Sequence, residues 1–216
     1  MQRPALSPER IIEAAAQVAD EGGLTAVSMR SVGRQLDVEA MSLYHHVPSK
    51  QALLDRLADW VVTQVDLPEI GTPWRRALTG LCDSARAVYS RHPWAISLID
   101  SRATPGHALL RHHDQVLGCL LADGFSMALA AHAYSAVDSY VFGFVLTELQ
   151  LPFRPGDAES FTEELALPTE DYPHMARLLT ELVVGQNYDF GNEFSYGLGL
   201  ILDQLEVRLA DEQAGA

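Results

Sequence analysis

Between residues 39 and 50 the chain gathers Ser42, Tyr44, His45, His46 and Lys50, five side chains that can each donate a hydrogen bond to a phosphate oxygen. They cluster at one end of a predicted helical hairpin. Leu43 and Val47 stand four residues apart, so both can face a core, while Ala40, Met41, Tyr44 and His45 fall on other faces. A purely structural hairpin accounts for the apolar spacing but not for the gathered donors. A second group has different chemistry. Trp94, Leu98, His113, Leu117, Tyr134, Asp138 and Val141 combine aromatic and apolar walls with a few polar groups, the make-up of a small-molecule site. Tyr140 and Phe144 are candidates as well, but Tyr134, Asp138 and Val141 share one helix face and Tyr140 and Phe144 another, so not all of them can line one cavity. Asp138 carries the most weight, because a carboxylate inside an apolar helix needs a partner or a ligand.

Other chemistries find no support. No nucleophile, base and orienting group can be named together, so the chain does not read as an enzyme. His107, His112, His113 and His132 invite a metal site. The first three contain no pair at helical i, i+4 spacing, and Cys82 and Cys119 are remote in sequence; neither a metal nor a cofactor is expected. The two cysteines read as ordinary reduced thiols.

These residues need helices to position them, and helix punctuation is frequent while strand alternation is nearly absent. Ser7-Pro8 offers an N-cap followed by proline at the first helical position, with Glu9 in the first turn. Ile11, Ala14, Ala15, Val18 and Ala19 then form an amphipathic stripe that Gly22-Gly23 ends. Ser28 opens a short helix to about Leu36, a second runs from Glu39 to about His45, and Ser49 caps a longer one from Lys50 to about Val65. This is the helix-turn-helix plan, whose second helix enters the major groove of double-stranded DNA. Asp66–Thr72, with Pro68 and Gly71, reads as a linker. Helical patterns follow at about 74–90, 93–101, 106–123, 126–150, 173–184 and 191–211. Leu151–Tyr172 has three prolines and a weak pattern apart from a short helix near 160–166, and reads as a mobile or functional segment, a candidate lid. The predicted class is all-α in two domains: a three-helix head over residues 1–65 and a larger helical domain over 66–216.

Composition bounds the rest. The chain has 216 residues, 48% hydrophobic and 20% charged, enough for a sizeable core and too apolar for disorder. Its longest stretch free of Asp, Glu, Lys and Arg in the apolar middle, Gly124–Val137, is shorter than the ~18–20 apolar residues of a membrane span. No secretory signal follows Met1–Arg10. The expectation is a cytoplasmic protein without a membrane partner. A net charge of −14 looks unfavourable for DNA. The acidity, however, is concentrated beyond residue 50, since residues 1–50 hold five Lys and Arg against six Asp and Glu. A local surface remains able to bind DNA, without long-range steering.

The string Leu36-Asp37-Val38-Glu39-Ala40-Met41-Ser42-Leu43-Tyr44-His45-His46-Val47-Pro48-Ser49-Lys50, followed by Ala52-Leu53-Leu54, closely resembles the DNA-binding domain of the tetracycline-repressor (TetR) family. The approach to it, through Ile11-Ile12-Glu13-Ala14-Ala15, Gly22-Gly23-Leu24 and Ser28-Met29-Arg30, is similar too. The likeness covers about residues 7–60. A weaker one, at Phe194, Tyr196-Gly197-Leu198 and Ile201-Leu202-Asp203, marks the start of that family's final dimer-forming helix. The resemblance implies that Arg30 reads a base, that Ala40 and Met41 touch bases through shape and thymine methyls, and that Ser42, Tyr44, His46 and Lys50 hold phosphates. Glu39 and His45 complete the expected DNA-facing set, and Arg34 is left on a solvated face. One departure is Asp37, which stands where the family usually has the turn glycine. Aspartate tolerates the left-handed region, so the turn should survive at some electrostatic cost near a phosphate. The resemblance further implies a homodimer on a palindromic operator and an unidentified small-molecule effector that shifts the spacing of the two heads. The helices near 126–150 and 191–211 are rich in small residues and are assigned to the dimer interface, although such residues also fill monomer cores. The implied function is a ligand-released repressor. The alternatives are a dimeric regulator without a small-molecule response, and an activator.

Overall fold

Three serines set the first helices in a computed structural model that describes residues 5–153 and 156–215. Arg3 lies outside them, as do Arg154 and Pro155 within the Leu151–Tyr172 segment. The Ser7 hydroxyl accepts the Arg10 N–H at 3.4 Å and opens α1 (Pro8–Ala26). Gly23 adopts φ 71° and kinks this helix where the glycine pair is expected to stop it, and one further turn carries the chain to Val27. α2 (Met29–Leu36) begins with a reciprocal capping box. The Ser28 hydroxyl accepts the Ser31 N–H at 3.1 Å, and the Ser31 hydroxyl accepts the Ser28 N–H at 2.9 Å. α3 is a single turn (Ala40–Leu43), extended by turn residues to His46. α4 (Lys50–Val62) is capped by Ser49, whose hydroxyl accepts the Ala52 N–H at 3.1 Å.

By contact the chain falls into two units, Met1–Phe142 and Gly143–Ala216. The first unit holds α1–α4, then α5 (Trp74–Arg91), α6 (Ala95–Asp100), α7 (His107–Ala122) and the first part of α8 (Met127–Leu149). Helices α1, α2, α3 and α4 pack together around Ile11, Ala15, Val32, Leu43, Val47, Leu53 and Leu57, all fully buried. Contacts do not divide at the 66–72 linker, because α4 also packs on α6 and α7. The Arg102 guanidinium donates to Asp59 at 2.8 Å and lies 3.7 Å from Asp55, both on α4. Gln115 on α7 donates to the Pro68 carbonyl of the linker at 2.9 Å.

α8 runs unbroken through Asp138, and by length and composition alone its 23 residues are enough to cross a membrane. A helix does not end at one carboxylate, so the uncharged stretch Gly124–Val137 understates the length of this one. Leu129, Ala130, Ala133, Val137 and Val141 are buried, as in a core helix.

The second unit contains α9 (Ala158–Leu165), α10 (Pro173–Leu178) and α11 (Glu193–Gly215). The helix predicted over 173–184 is α10 followed by a wider π turn, Leu179–Val183. A short 3-10 turn, Phe190–Asn192, leads into α11. Phe144 stacks on Phe190 and meets Phe194 edge-on, each at a centroid distance of 5.0 Å. Phe194, Leu198, Leu202, Leu205 and Leu209 mark the buried stripe of α11 at steps of three and four. Among the described residues there is no strand, so the class is all-α.

Candidate nucleic-acid interface and ligand cavity

The turn between α2 and α3 decides what the head can present. Asp37 closes α2 in the left-handed region (φ 54°, ψ 49°), as its side-chain type permits. Gly33 allows the chain to fold back closely, for a Cβ there would lie 2.9 Å from the Val38 carbonyl oxygen. With Leu43 and Val47 buried, the other residues of α3 face outward. Met41 is 73% exposed and Tyr44 43%, which excludes a core role for the tyrosine. Arg30, Glu39, His45 and Lys50 are exposed, while Ala40, Ser42 and His46 are half-buried. The donors expected from sequence are therefore exposed or half-buried, and none is a core residue. Arg56, which sequence reasoning missed, donates to the His46 carbonyl at 3.0 Å and ties the end of this turn to α4.

A second site lies within the first unit, between α5, α7 and α8. Leu81, Cys82, Ala85 and Tyr89 of α5, His112 of α7, and Tyr134, Val137, Asp138 and Val141 of α8 line a cavity of about 20 Å³. That is room for about one water molecule. Of the expected set, Tyr134, Asp138 and Val141 come together here; Trp94, Leu98, His113 and Leu117 do not line it. The buried Trp94 instead donates its indole N–H to Asp20 of α1 at 2.6 Å, beside His92 at 2.8 Å from the same carboxylate oxygen. Leu98 is a core residue of α6. His113 packs on the Tyr134 ring at a centroid distance of 4.5 Å, and Leu117 is half-buried on the same helix. One residue is about 100° of helix rotation, and that step gives the cavity wall to His112 rather than His113. Leu81, Ala85 and Tyr89 repeat at intervals of four, a legible stripe, but nothing local to α5 says that it borders a void.

Burial sets the charge state of this cavity. His112 is pushed down to about 4 by desolvation and, secondarily, by His113, which burial also lowers. Desolvation raises Asp138 to about 6, pushes the Cys82 thiol up to about 12 and moves both tyrosines upward. Both ring nitrogens of His112 and the Tyr134 hydroxyl are buried without a hydrogen-bond partner.

One further contact joins this region to the head. The Arg102–Asp59 ion pair sits directly over Gly106, the residue that opens α7, and a Cβ at that position would overlap the Asp59 carboxylate.

An all-helical chain with a helix-turn-helix head and a larger helical remainder is the architecture of a DNA-binding transcriptional regulator. The chain belongs to the TetR family. The family model for bacterial regulatory proteins of the tetR family matches residues 11–57, and that for the tetracyclin repressor-like C-terminal domain matches residues 67–209. It is 34% identical to the HTH-type transcriptional repressor DrrR1 of Streptomyces coeruleorubidus, over 98% of this chain and 81% of the relative. It is 26% identical to the class D tetracycline repressor of Escherichia coli, over 94% and 91% of the two chains. Apo ActR of Streptomyces coelicolor superposes with a TM-score of 0.75 at 26% identity, covering 98% and 99%. ActR in complex with actinorhodin gives 0.73 at 25% identity, covering 95% and 99%.

Proposed function

We propose that this regulator is a homodimeric repressor that leaves a palindromic operator when a small-molecule effector enters the Asp138 cavity. The observation that carries the reading is the continuity between that cavity and the head. α7 supplies a wall of the cavity, and the Arg102 ion pair at its N-terminal end grips α4 through Asp59. A ligand of ordinary size needs a site of roughly 300 Å³ or more, so entry into a void of about 20 Å³ must part the surrounding helices. Movement of α7 is then passed to α4 through Arg102 and to the linker through Gln115. The effector releases DNA by no more than its differential affinity for the two arrangements. The relative named a repressor and the ActR complex with actinorhodin support both halves of the reading.

In this reading Arg30 pairs with a base edge, Ala40 and Met41 read shape and thymine methyls, and Ser42, Tyr44, His46 and Lys50 hold phosphates, with Glu39 and His45 alongside. The dimer forms through α8 and α11. Tyr196, Leu200 and Val207 of α11 are 69%, 57% and 53% exposed and line one side of that helix. On α8, Ala128, Ala131, Ser135 and Ser139 form an exposed face of small residues that suits close helix approach. Two heads so joined would enter successive major grooves about 34–36 Å apart. The working compartment is the cytoplasm, where the operator is found.

The small volume of the cavity also favours a second reading, a dimeric regulator that answers to no ligand. Fluorescence anisotropy on DNA flanking the protein's own gene, with unrelated DNA as control and a salt series, tests the regulator. Selective binding that a small molecule abolishes supports the first reading. Selective binding that no compound in a diverse library disturbs supports the second, and equal binding to both DNAs rejects both.

A further inference from the structure

We infer that the effector taken by this cavity is an organic cation, an amine or ammonium group on an aromatic or apolar body, whose charged nitrogen pairs with the Asp138 carboxylate. The inference rests on the effector-site reading above and adds the chemical class.

Asp138 has no partner of opposite charge among the described residues. It sits half-buried midway along α8, one turn from Tyr134 on one side and from Val141 on the other. No Lys or Arg lines the cavity, and no ion pair reaches the carboxylate among the described residues. Desolvation is the sole cause of its shift, with no neighbouring cation to offset it. The nearby groups that titrate do not supply a charge either. On α5, Cys82 and Tyr89 stay protonated and neutral; on α8, Tyr134 does the same. On α7, His112 and His113 are held in the neutral form. Above about pH 6, Asp138 is therefore the only charge in the lining, and it is negative.

A largely desolvated charge without a partner is costly, and a ligand that brings the opposite charge removes that cost as it binds. An anion would meet like charge with no compensating cation. A neutral ligand would shed the last water from the carboxylate and offer nothing in its place. The rest of the wall fits an organic cation in particular. Tyr89 and Tyr134 provide aromatic surface, and Leu81, Ala85, Val137 and Val141 provide apolar surface for the body attached to the cation. His112, 6% exposed with neither ring nitrogen bonded, and the unpartnered Tyr134 hydroxyl can orient the hydrogens of the ammonium or a polar substituent beside it. A bare metal ion is a poorer match, since no group of three His, Cys, Asp or Glu converges among the described residues.

The test uses three probes of one shape: 1-naphthylmethylamine, 1-naphthylmethanol and 1-naphthoate, titrated at pH 7.5 into the full-length protein by calorimetry and into its DNA complex by anisotropy. The amine is expected to bind roughly ten- to hundredfold more tightly than the alcohol, the range of a charge-assisted contact, with the carboxylate weakest. Asp138→Asn should erase the preference for the amine, and without any probe it should melt at a higher temperature than the wild type. Equal affinity for amine and alcohol in the wild-type protein, or a preference that survives in Asp138→Asn, would overturn the cation class. DNA release by the alcohol or the naphthoate alone would overturn it too, while leaving the effector site standing. If none of the three binds up to its solubility limit, the cavity is lost as an effector site and the inference goes with it.

Discussion

Arg30 and Lys50 are exposed cations on the same head, yet they should fail differently when removed. If Arg30 makes a bidentate contact to guanine, Arg30→Ala relaxes base preference at one operator position and costs roughly 1–3 kcal/mol there. Lys50→Ala should weaken binding to every sequence and lower the salt slope by about one. Anisotropy on operator and scrambled DNA across salt separates the two, and an unchanged slope would remove Lys50 from the backbone. Asp138 makes a pH prediction. Burial lifts it from 3.8 to about 6, so between those values the folded protein holds a proton that the unfolded chain has lost. Its contribution to stability therefore falls as pH rises through that window and levels off above it. His112, lowered from 6.5 to about 4, acts in the opposite sense, because the unfolded chain takes up a proton that the folded protein refuses. The two act against each other in the wild type. The stability gain of Asp138→Asn over wild type should accordingly be small near pH 4 and grow to a plateau above about pH 6, reaching up to about 3 kcal/mol. Urea titrations across pH measure it, and a gain independent of pH would mean that burial is not what perturbs this carboxylate.

At the scale of elements, the turn after α2 is held by two residues of opposite character. Asp37 tolerates its left-handed backbone, whereas Gly33 leaves no room for a side chain against the Val38 carbonyl. Gly33→Ala should cost about 1–3 kcal/mol by forcing that backbone apart, and should lower operator affinity by tilting α3. Thermal melts beside anisotropy would show both, and an unaltered melt would mean that the turn relaxes freely. The same contrast explains what sequence made legible. Helix starts were readable because Ser7, Ser28 and Ser49 act on backbone groups only three residues away. The outward set on α3 was readable because Leu43 and Val47 fix the phase of so short a helix. The cavity was readable only along α8, where Tyr134, Asp138 and Val141 share a face. Its other walls depend on how α5 and α7 are rotated in packing, so His113 was expected where His112 stands. The role of Trp94 is illegible for a related reason. An aromatic beside a proline gives no sign that its partner, Asp20, lies 74 residues away.

For the whole molecule, the number of copies decides whether the heads can work together. Tyr196, Leu200 and Val207 expose a stripe of apolar surface on α11 that a second copy is proposed to cover. Leu200→Glu should shift the protein to monomers in sedimentation and weaken operator binding at least tenfold, since a lone head reaches one half-site. A variant that remains dimeric would exclude this face. The Arg102–Asp59 pair over Gly106 has a consequence of its own on the proposed route of release. It binds cavity and head together through three positions, none of which touches effector or DNA, so damage there leaves both recognitions intact and severs the message between them. A genetic selection for cells that stay repressed in the presence of inducer should therefore recover lesions at 59, 102 and 106. Such alleles would be heritable deafness in a protein that still hears its ligand and still grips its operator.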